Sequence, residues 1–451
     1  MSGREIDRRE FVRLSAAAGG AFLLAVALPR RALGMEDVGA AERPRDDAFA
    51  PNLWLRIDPT GDITILSHKS EMGQGVWTAL PMIVAEELDA DWDRVRIERA
   101  PTTADFDSAT GGSSSVSDSW DTLRKAGAVA RAMLVAAAAQ QWHVPADSCT
   151  TERGVVAHAA SGRRAPYGSL VSAAANLPVP NASTVSLKDP HAFRIVGTEM
   201  PRRDLMAKVT GTAQFGIDVT LPNMLVACIA RCPSFRGKVS RVDDARARAV
   251  PGVRQVLQLD PVPKQHPGRV AVLADDTWAA LQGCRALDIE WDTSVDASVS
   301  TDGMWRAARE AVSDDASALV VATQGASPNG AGRGRTVEAT YELPFVAHAC
   351  MEPMNCTAWV TADRARIWAP TQFPEAARET VAGLTGLPLD KVDVHVTFLG
   401  GGFGRRAYQD FVIEAADLSK RAGVPVKVMW TREDDIQHDL YRPAQLQRLS
   451  A

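Results

Sequence analysis

A strand-like run that ends in a glycine cluster constrains this chain more than any other feature. Residues 398–408 read FLGGGFGRRAY, and Val392, Val394, Val396 and Phe398 alternate ahead of the glycines. Alternation with a period of two marks a half-buried strand. Gly400, Gly401, Gly402 and Gly404 then sacrifice chain entropy and permit close backbone approach, so the turn must lie against a packed neighbour or a ligand. No Gly-Lys-Ser/Thr follows Gly404, which excludes a Walker loop, and the second half of G-x-G-x-x-G is missing. Generic nucleotide binding finds no support here.

Two other stretches share this turn-before-helix character. EMGQGVWT, residues 71–78, follows a strand pattern and opens a helical one. Exposed N–H groups at a helix start favour anionic groups such as phosphate, and Gln74 can donate and accept at once. By itself the stretch also fits an ordinary strand-to-helix turn. TGGSSSVSDSW, residues 110–120, precedes an alanine-rich helical segment with an N-cap expected at Ser117 or Asp118. By itself it reads as a solvent loop.

Around these stretches the chain of 451 residues divides into about three folded parts. Pro59-Thr60-Gly61-Asp62 between two alternating runs signals a hairpin. Residues 151–200 read as short strands and loops. From about 202 to 293 the pattern is strand, helix, strand, strand, helix, strand, a compact α+β module. Residues 294–334 read as a polar, glycine-rich connection. The last part, 335–451, holds a helix opening near Pro374 with Gly386 as its stop.

Composition narrows the function classes. Apolar residues make up 46% and charged residues 23%, with a net charge of −5 and no basic stripe, so nucleic acid is not an expected partner. The six cysteines contain no C-x-x-C pair, which argues against a zinc ribbon or an iron–sulfur cluster in this chain; no metal ligand set is expected. Cys228 and Cys232, four apart on a strand-like run, lie beyond disulfide reach of each other, and the cysteines read as buried free thiols.

Residues 1–34 read as an address. Arg8-Arg9 precede an uncharged run, Leu14 to Leu28, that is shorter than the roughly 20 residues of a membrane span, and Ala32 and Gly34 are small residues suited to cleavage. The DRREFVRL pattern resembles a twin-arginine export signal, the route of folded, cofactor-loaded proteins. Residues 35–50 read as a linker.

Taken together, EMGQG, GGSSSV, TQ…GGGFG and AHACMEPMNCTA resemble the molybdenum-cofactor subunit of the xanthine dehydrogenase and aldehyde oxidase family. Residues 202–293 resemble that family's aldehyde oxidase a/b hammerhead domain. The MGQG stretch precedes GGGFG, a permuted order similar to the large (beta) subunits of the isoquinoline 1-oxidoreductase type. The resemblance covers nearly all of residues 50–451. It implies a multidomain α+β fold in which molybdopterin-binding segments, 51–200 and 335–451, flank the hammerhead.

The implied cofactor is molybdenum–molybdopterin cytosine dinucleotide. By resemblance Gly73, Gln74 and Gly75, Ser113, Ser114 and Ser115, and Gly401, Gly402, Phe403, Gly404 and Arg405 would contact it. Arg405 and Arg406 are either phosphate partners or solvated arginines. The implied reaction is hydroxylation of an N-heteroaromatic or aldehyde with oxygen from water. The electrons would pass to a separate [2Fe–2S] subunit, with a cytochrome as a further acceptor, in the periplasm. The family's catalytic glutamate has no counterpart here; Ala407 and Val346 stand where many relatives carry a glutamate and a glutamine. The resemblance therefore also allows a partial, non-catalytic chain that at most binds cofactor or partner. Glu352 reads as a structural carboxylate, His348 as a satisfied histidine, and Glu86 and Glu87 as solvated or paired with arginine.

Overall fold

The computed structural model describes residues 49–261, 267–314, 318–322 and 335–450. The address at 1–34 and nearly all of the expected linker lie outside the described residues. The chain mixes helices and sheets in two compact units, each built from two pieces of sequence. One comprises the chain up to Phe215 with Thr371–Leu399; the other comprises Gly216–Pro370 with Gly400–Ala451.

In the first unit, strands β1 (Phe49–Asn52), β2 (Leu55–Ile57), β3 (Ile63–Ser67) and β4 (Val95–Arg99) lie side by side in that order. The expected hairpin joins β2 to β3 antiparallel, with Ile57 opposite Ile63. Helix α1 (Val76–Leu88) then crosses over, so that β4 runs parallel to β3. Ile57, Ile63, Ile65, Leu80, Val84 and Leu88 fill the core with Leu123 and Leu134 of α2 (Ser115–Trp142). The nine-residue helix Tyr167–Ala175 was not expected; the Tyr167 hydroxyl donates to Leu88 O at 2.7 Å, a tertiary contact with no local sequence signal.

Glu86 and Glu87 are buried, not solvated. Glu87 pairs with Arg124 at 2.6 Å, and Lys188 donates its backbone N–H to the same carboxylate. Glu86 accepts the backbone N–H groups of Arg194, Ile195 and Val196 and pairs with Lys188. Burial pushes its pKa up, but Lys188 and the three N–H donors outweigh that and hold it below the ordinary value.

In the second unit, six neighbouring strands follow the order 253–259, 269–274, 225–231, 426–429, 355–360, 365–369. Strand Leu225–Arg231 pairs parallel with Val426–Met429, Leu225 opposite Val426. The module expected at 202–293 thus shares a sheet with the last part of the chain. Strand Lys238–Asp243, an addition to the expected pattern, pairs with Asp288–Asp292. The expected connection contains helix Thr301–Val312, capped by Ser300 Oγ accepting from Gly303 N at 3.1 Å. None of its residues is buried, yet Met304, Trp305, Ala308 and Val312 recur at helical spacing, a periodicity that reading this stretch as a polar connection passes over.

Helices α1 and α2 approach each other closely. A Cβ on Gly127 would stand 2.4 Å from Val84 O and 2.9 Å from Glu87 Cβ. Alanine is favoured over glycine by about 1 kcal/mol inside a helix, yet overpacking costs about 1–3 kcal/mol, and here the obstacle is backbone. Gly127→Ala is therefore expected to destabilise the unit despite its better propensity. A lower urea midpoint with unchanged slope would bear this out; a higher midpoint would refute it.

Candidate cofactor-binding loops

In the first unit a set of short buried side chains ties three motif stretches together. Ser70 N donates to Thr110 Oγ1 at 2.8 Å, and Ser70 Oγ donates to Thr371 O at 2.8 Å. Gln372 Nε2 donates to Thr110 O at 2.8 Å, while Thr110 N donates back to Gln372 O at 2.9 Å. Ser70 and Thr371, 301 positions apart in sequence, thereby meet, and all four side chains are buried. Lys69 Nζ donates to Ala109 O at 2.8 Å and holds the approach to the serine stretch.

The MGQG turn differs from expectation in one important respect. Its N–H groups are not left for an external phosphate. The buried Glu71 carboxylate accepts from Gly73 N at 2.8 Å, Gly75 N at 3.2 Å and Trp77 N at 2.9 Å. Glu71 thus occupies the favourable end of the α1 dipole itself. Arg202 meets it at 2.9 Å and Lys208 at 3.6 Å, and both also pair with Asp204. Burial pushes Asp204 up, but Arg202 and Lys208 prevail and bring its pKa down to about 2. Gly73 and Gly75 take φ of 113° and 92°, a conformation that favours glycine.

Gln74 is exposed. Its Oε1 accepts from Met72 N at 2.7 Å and its Nε2 donates to Ser70 O at 2.8 Å. One amide hydrogen and one lone pair of this rigidly held side chain are left to meet a ligand. The serine stretch starts α2 earlier than expected: Ser114 is the N-cap, and no side chain caps it. Ser113 is exposed at φ 57°, and Ser114 and Ser115 are half-buried.

The glycine cluster belongs to the second unit from Gly400 onward. A Cβ on Gly400 would stand 2.3 Å from Glu352 Cβ, so this glycine is required by close packing. Glu352 is structural, as expected: it accepts from Gly400 N at 2.9 Å, Ile217 N at 3.0 Å and Asn355 Nδ2 at 2.9 Å. Gly401, Phe403 and Gly404 all have positive φ, at 94°, 54° and 99°. For phenylalanine this is a strained conformation. Arg442 Nη2 secures it by donating to Phe403 O at 2.7 Å, while the Phe403 ring stays exposed. Neither Gly402 N nor Phe403 N donates to any described residue. Successive N–H groups in such a bend form an anion-binding concavity.

Arg405 and Arg406 are neither solvated nor presented to a phosphate; both are 0% exposed. Arg405 forms a two-pronged pair with Asp410 at 2.9 and 2.6 Å. Its Nε also lies 2.7 Å from Asp439 Oδ1, close but without hydrogen-bond alignment. Arg406 reaches Glu352 O at 2.6 Å, Gly401 O at 2.8 Å and the Glu352 carboxylate at 3.2 Å. A buried arginine surrounded by such acceptors braces the loop from behind. His348 is held through Nδ1 by Asp439 at 3.0 Å.

The expected contact residues therefore fall into groups within each unit: Gly73 to Gly75 and Ser113 to Ser115 in the first, Gly401 to Arg405 in the second. Arg405 leaves the set of ligand contacts and becomes a brace. Glu71, Ser70, Thr110 and Gln372 were missed as organisers. Their spacing carries no signal, although Glu71, Thr110 and Gln372 stand inside the quoted stretches.

Beside the serine stretch, His68 Nε2 lies 3.1 Å from Ser119 Oγ, and its ring packs edge-on to Trp54. Burial first, then Lys69 and Arg99, push its pKa from 6.5 down to about 4. Between those values the unfolded chain binds a proton that the folded chain does not. Stability from His68 is therefore complete above about pH 6.5 and is lost as pH falls toward 4. Melting temperatures from about pH 7.5 to about pH 4.5 should fall more steeply in the wild type than in His68→Gln; equal slopes would contradict the assignment.

Two molybdopterin cofactor-binding domain families match the chain, one over residues 31–219 and the other over 318–451. The chain is 33% identical to the beta chain of isoquinoline 1-oxidoreductase from Brevundimonas diminuta, over 91% of this chain and 58% of that protein. It is 34% identical to the membrane-bound aldehyde dehydrogenase [pyrroloquinoline-quinone] of Gluconacetobacter polyoxogenes, over 90% of this chain and 53% of that one. A component of the nicotinate dehydrogenase of Pseudomonas putida matches at 28% identity over 85% of this chain and 32% of its own length. The chain spans about half the length of the first two relatives.

Proposed function

The chain belongs to the molybdenum hydroxylase family, as a molybdopterin-cofactor-binding subunit, and from that premise we propose that it serves the oxidation of an N-heteroaromatic or aldehyde substrate. Isoquinoline and nicotinate in the names of two relatives support the first class, and aldehyde in a third supports the second. That third name also carries pyrroloquinoline quinone, but the proposal follows the two domain matches on this chain's own residues. The proposed cofactor is the cytosine dinucleotide form, the proposed electron partner a [2Fe–2S] subunit, the proposed location the periplasm after twin-arginine export. The hammerhead assignment of residues 202–293 is part of the same reading.

One observation carries the reading: the unclaimed N–H groups of Gly402 and Phe403 on a strained loop that buried arginines hold in place. Donors fixed in advance toward an oxygen need no reorganisation when it arrives. In the first unit Gln74 would donate its remaining hydrogen to the pterin or a phosphate, and Ser113 and Ser115 would offer hydroxyls. Glu71 would hold the turn rigid without meeting the ligand. When bound, the molybdenum group supplies the two-electron oxidation with oxygen from water.

The test is the molybdenum and CMP content of the 451-residue chain, purified after co-expression with an iron–sulfur partner and cofactor maturation factors. Near-stoichiometric molybdenum and acid-released CMP are expected. Gln74→Ala, a substitution at an exposed position, should speed the loss of both on prolonged dialysis about tenfold for the loss of a ligand hydrogen bond of about 1–2 kcal/mol, with unchanged circular dichroism. A folded chain that carries neither molybdenum nor CMP would sink the proposal and leave the non-catalytic reading.

A further inference from the structure

A cavity of about 380 Å³ lies in the second unit, lined by Phe235, Phe345, Tyr408, Asp439, Leu440 and Tyr441. Small-molecule sites typically span about 300–1,000 Å³. Phe235 meets Tyr441 edge-on with ring centroids 6.1 Å apart, and Phe345 meets it at a tilt, 6.2 Å apart. Yet Phe235 is 64% exposed, Phe345 54% and Tyr408 53%. Three large rings open to water around one cavity mark a binding surface and not core packing.

The walls of this cavity are held in place. The Tyr441 hydroxyl is shared between Ile436 O and Gln437 O, 2.8 Å from each. Val346 and Arg442, next in sequence to Phe345 and Tyr441, exchange backbone hydrogen bonds of 3.4 and 3.0 Å. Of the six lining side chains only Asp439 is charged; it is buried, and its carboxylate faces His348 Nδ1 at 3.0 Å and Arg405 Nε at 2.7 Å. The side chains offered to a ligand are therefore aromatic and aliphatic. The cavity also adjoins the glycine loop: Arg442, beside Tyr441, is the residue that donates to Phe403 O at 2.7 Å. His348, which Asp439 holds, has its Nε2 3.8 Å from where a Cβ on Gly404 would stand.

We propose that this cavity binds the aromatic ring of the substrate, with Phe235, Phe345 and Tyr441 as the residues that select it, so that the chain serves ring-bearing substrates and not aliphatic aldehydes. The inference rests on the molybdenum hydroxylase reading above and narrows its two substrate classes. A flat ring entering the cavity makes edge-to-face or offset contacts with these rings that a saturated group of the same size does not. It also covers apolar surface that water wets in the empty cavity. Because the wall at Tyr441 and Arg442 continues directly to Phe403 O, a ring held there lies beside the loop that carries the unclaimed N–H groups.

The experiment measures binding to the full 451-residue chain by equilibrium dialysis, without an electron acceptor, for three unreactive or unturned probes: isoquinoline, benzamide and cyclohexanecarboxamide. The last two share one polar group and differ in whether the ring is aromatic. Isoquinoline and benzamide should bind, and cyclohexanecarboxamide about tenfold more weakly. Phe235→Leu and Phe345→Leu, both at exposed positions, should each weaken isoquinoline binding about fivefold with unchanged melting temperature, while Phe345→Tyr keeps it. Equal binding of benzamide and cyclohexanecarboxamide would overturn the proposal, as would no binding of isoquinoline or an unchanged affinity in either leucine variant. Ring binding needs no molybdenum. A chain that carries molybdenum and CMP yet ignores isoquinoline therefore fails this inference alone, and one that binds isoquinoline but carries neither fails only the cofactor reading.

Discussion

Two arginines that water does not reach govern the glycine cluster. Transferring a charged guanidinium from water into a protein interior costs several kcal/mol unless acceptors surround it. Arg405 meets that demand with Asp410 and Asp439, and Arg406 with Glu352 and the carbonyl oxygens of Glu352 and Gly401. Because these acceptors include the backbone of the loop, satisfying the arginines also sets the loop's shape. The positive φ of Phe403 persists because its surroundings leave little alternative. A loop prepared this way can present unclaimed N–H groups without collapsing onto them.

The first unit solves a related problem with the opposite charge. Glu71 places a carboxylate at the start of α1, where a helix dipole and three N–H groups favour an anion. Arg202 and Lys208 balance that charge, and Asp204 balances them in turn. The turn is thereby rigid before any ligand arrives, and Gln74, at its tip, keeps hydrogen-bonding capacity to spare. An anion at this helix end is an internal one, which changes how the MGQG motif should be read in chains that begin it with glutamate.

Much of the secondary structure was legible because it follows local rules. The hairpin at Pro59–Asp62, α1, β4, and the helix between Pro374 and its Gly386 stop all obey periodicity and turn chemistry. The helix Tyr167–Ala175 was not legible, because a distant carbonyl anchors it; Thr301–Val312 carried its signal in the spacing of Met304, Trp305, Ala308 and Val312, which the polar residues and glycines around it masked. Arg405 was misread because a pair of arginines after a glycine loop looks the same in sequence whether it meets a phosphate or buried aspartates farther along the chain.

By itself the sequence determined the glycine turns, their strand and helix neighbours, and the resemblance that those motifs carry together. These depend on residue identity at short range: φ freedom at glycine, amide chemistry at Gln74, hydroxyls at Ser113 to Ser115. Only the tertiary structure decided which groups are already satisfied. It assigned the α1 helix end to Glu71, buried Arg405 and Arg406, and brought Thr371 and Gln372 to Ser70 and Thr110. The reason is physical: a polar group's availability depends on what the fold packs around it, and many of those neighbours lie far away along the chain.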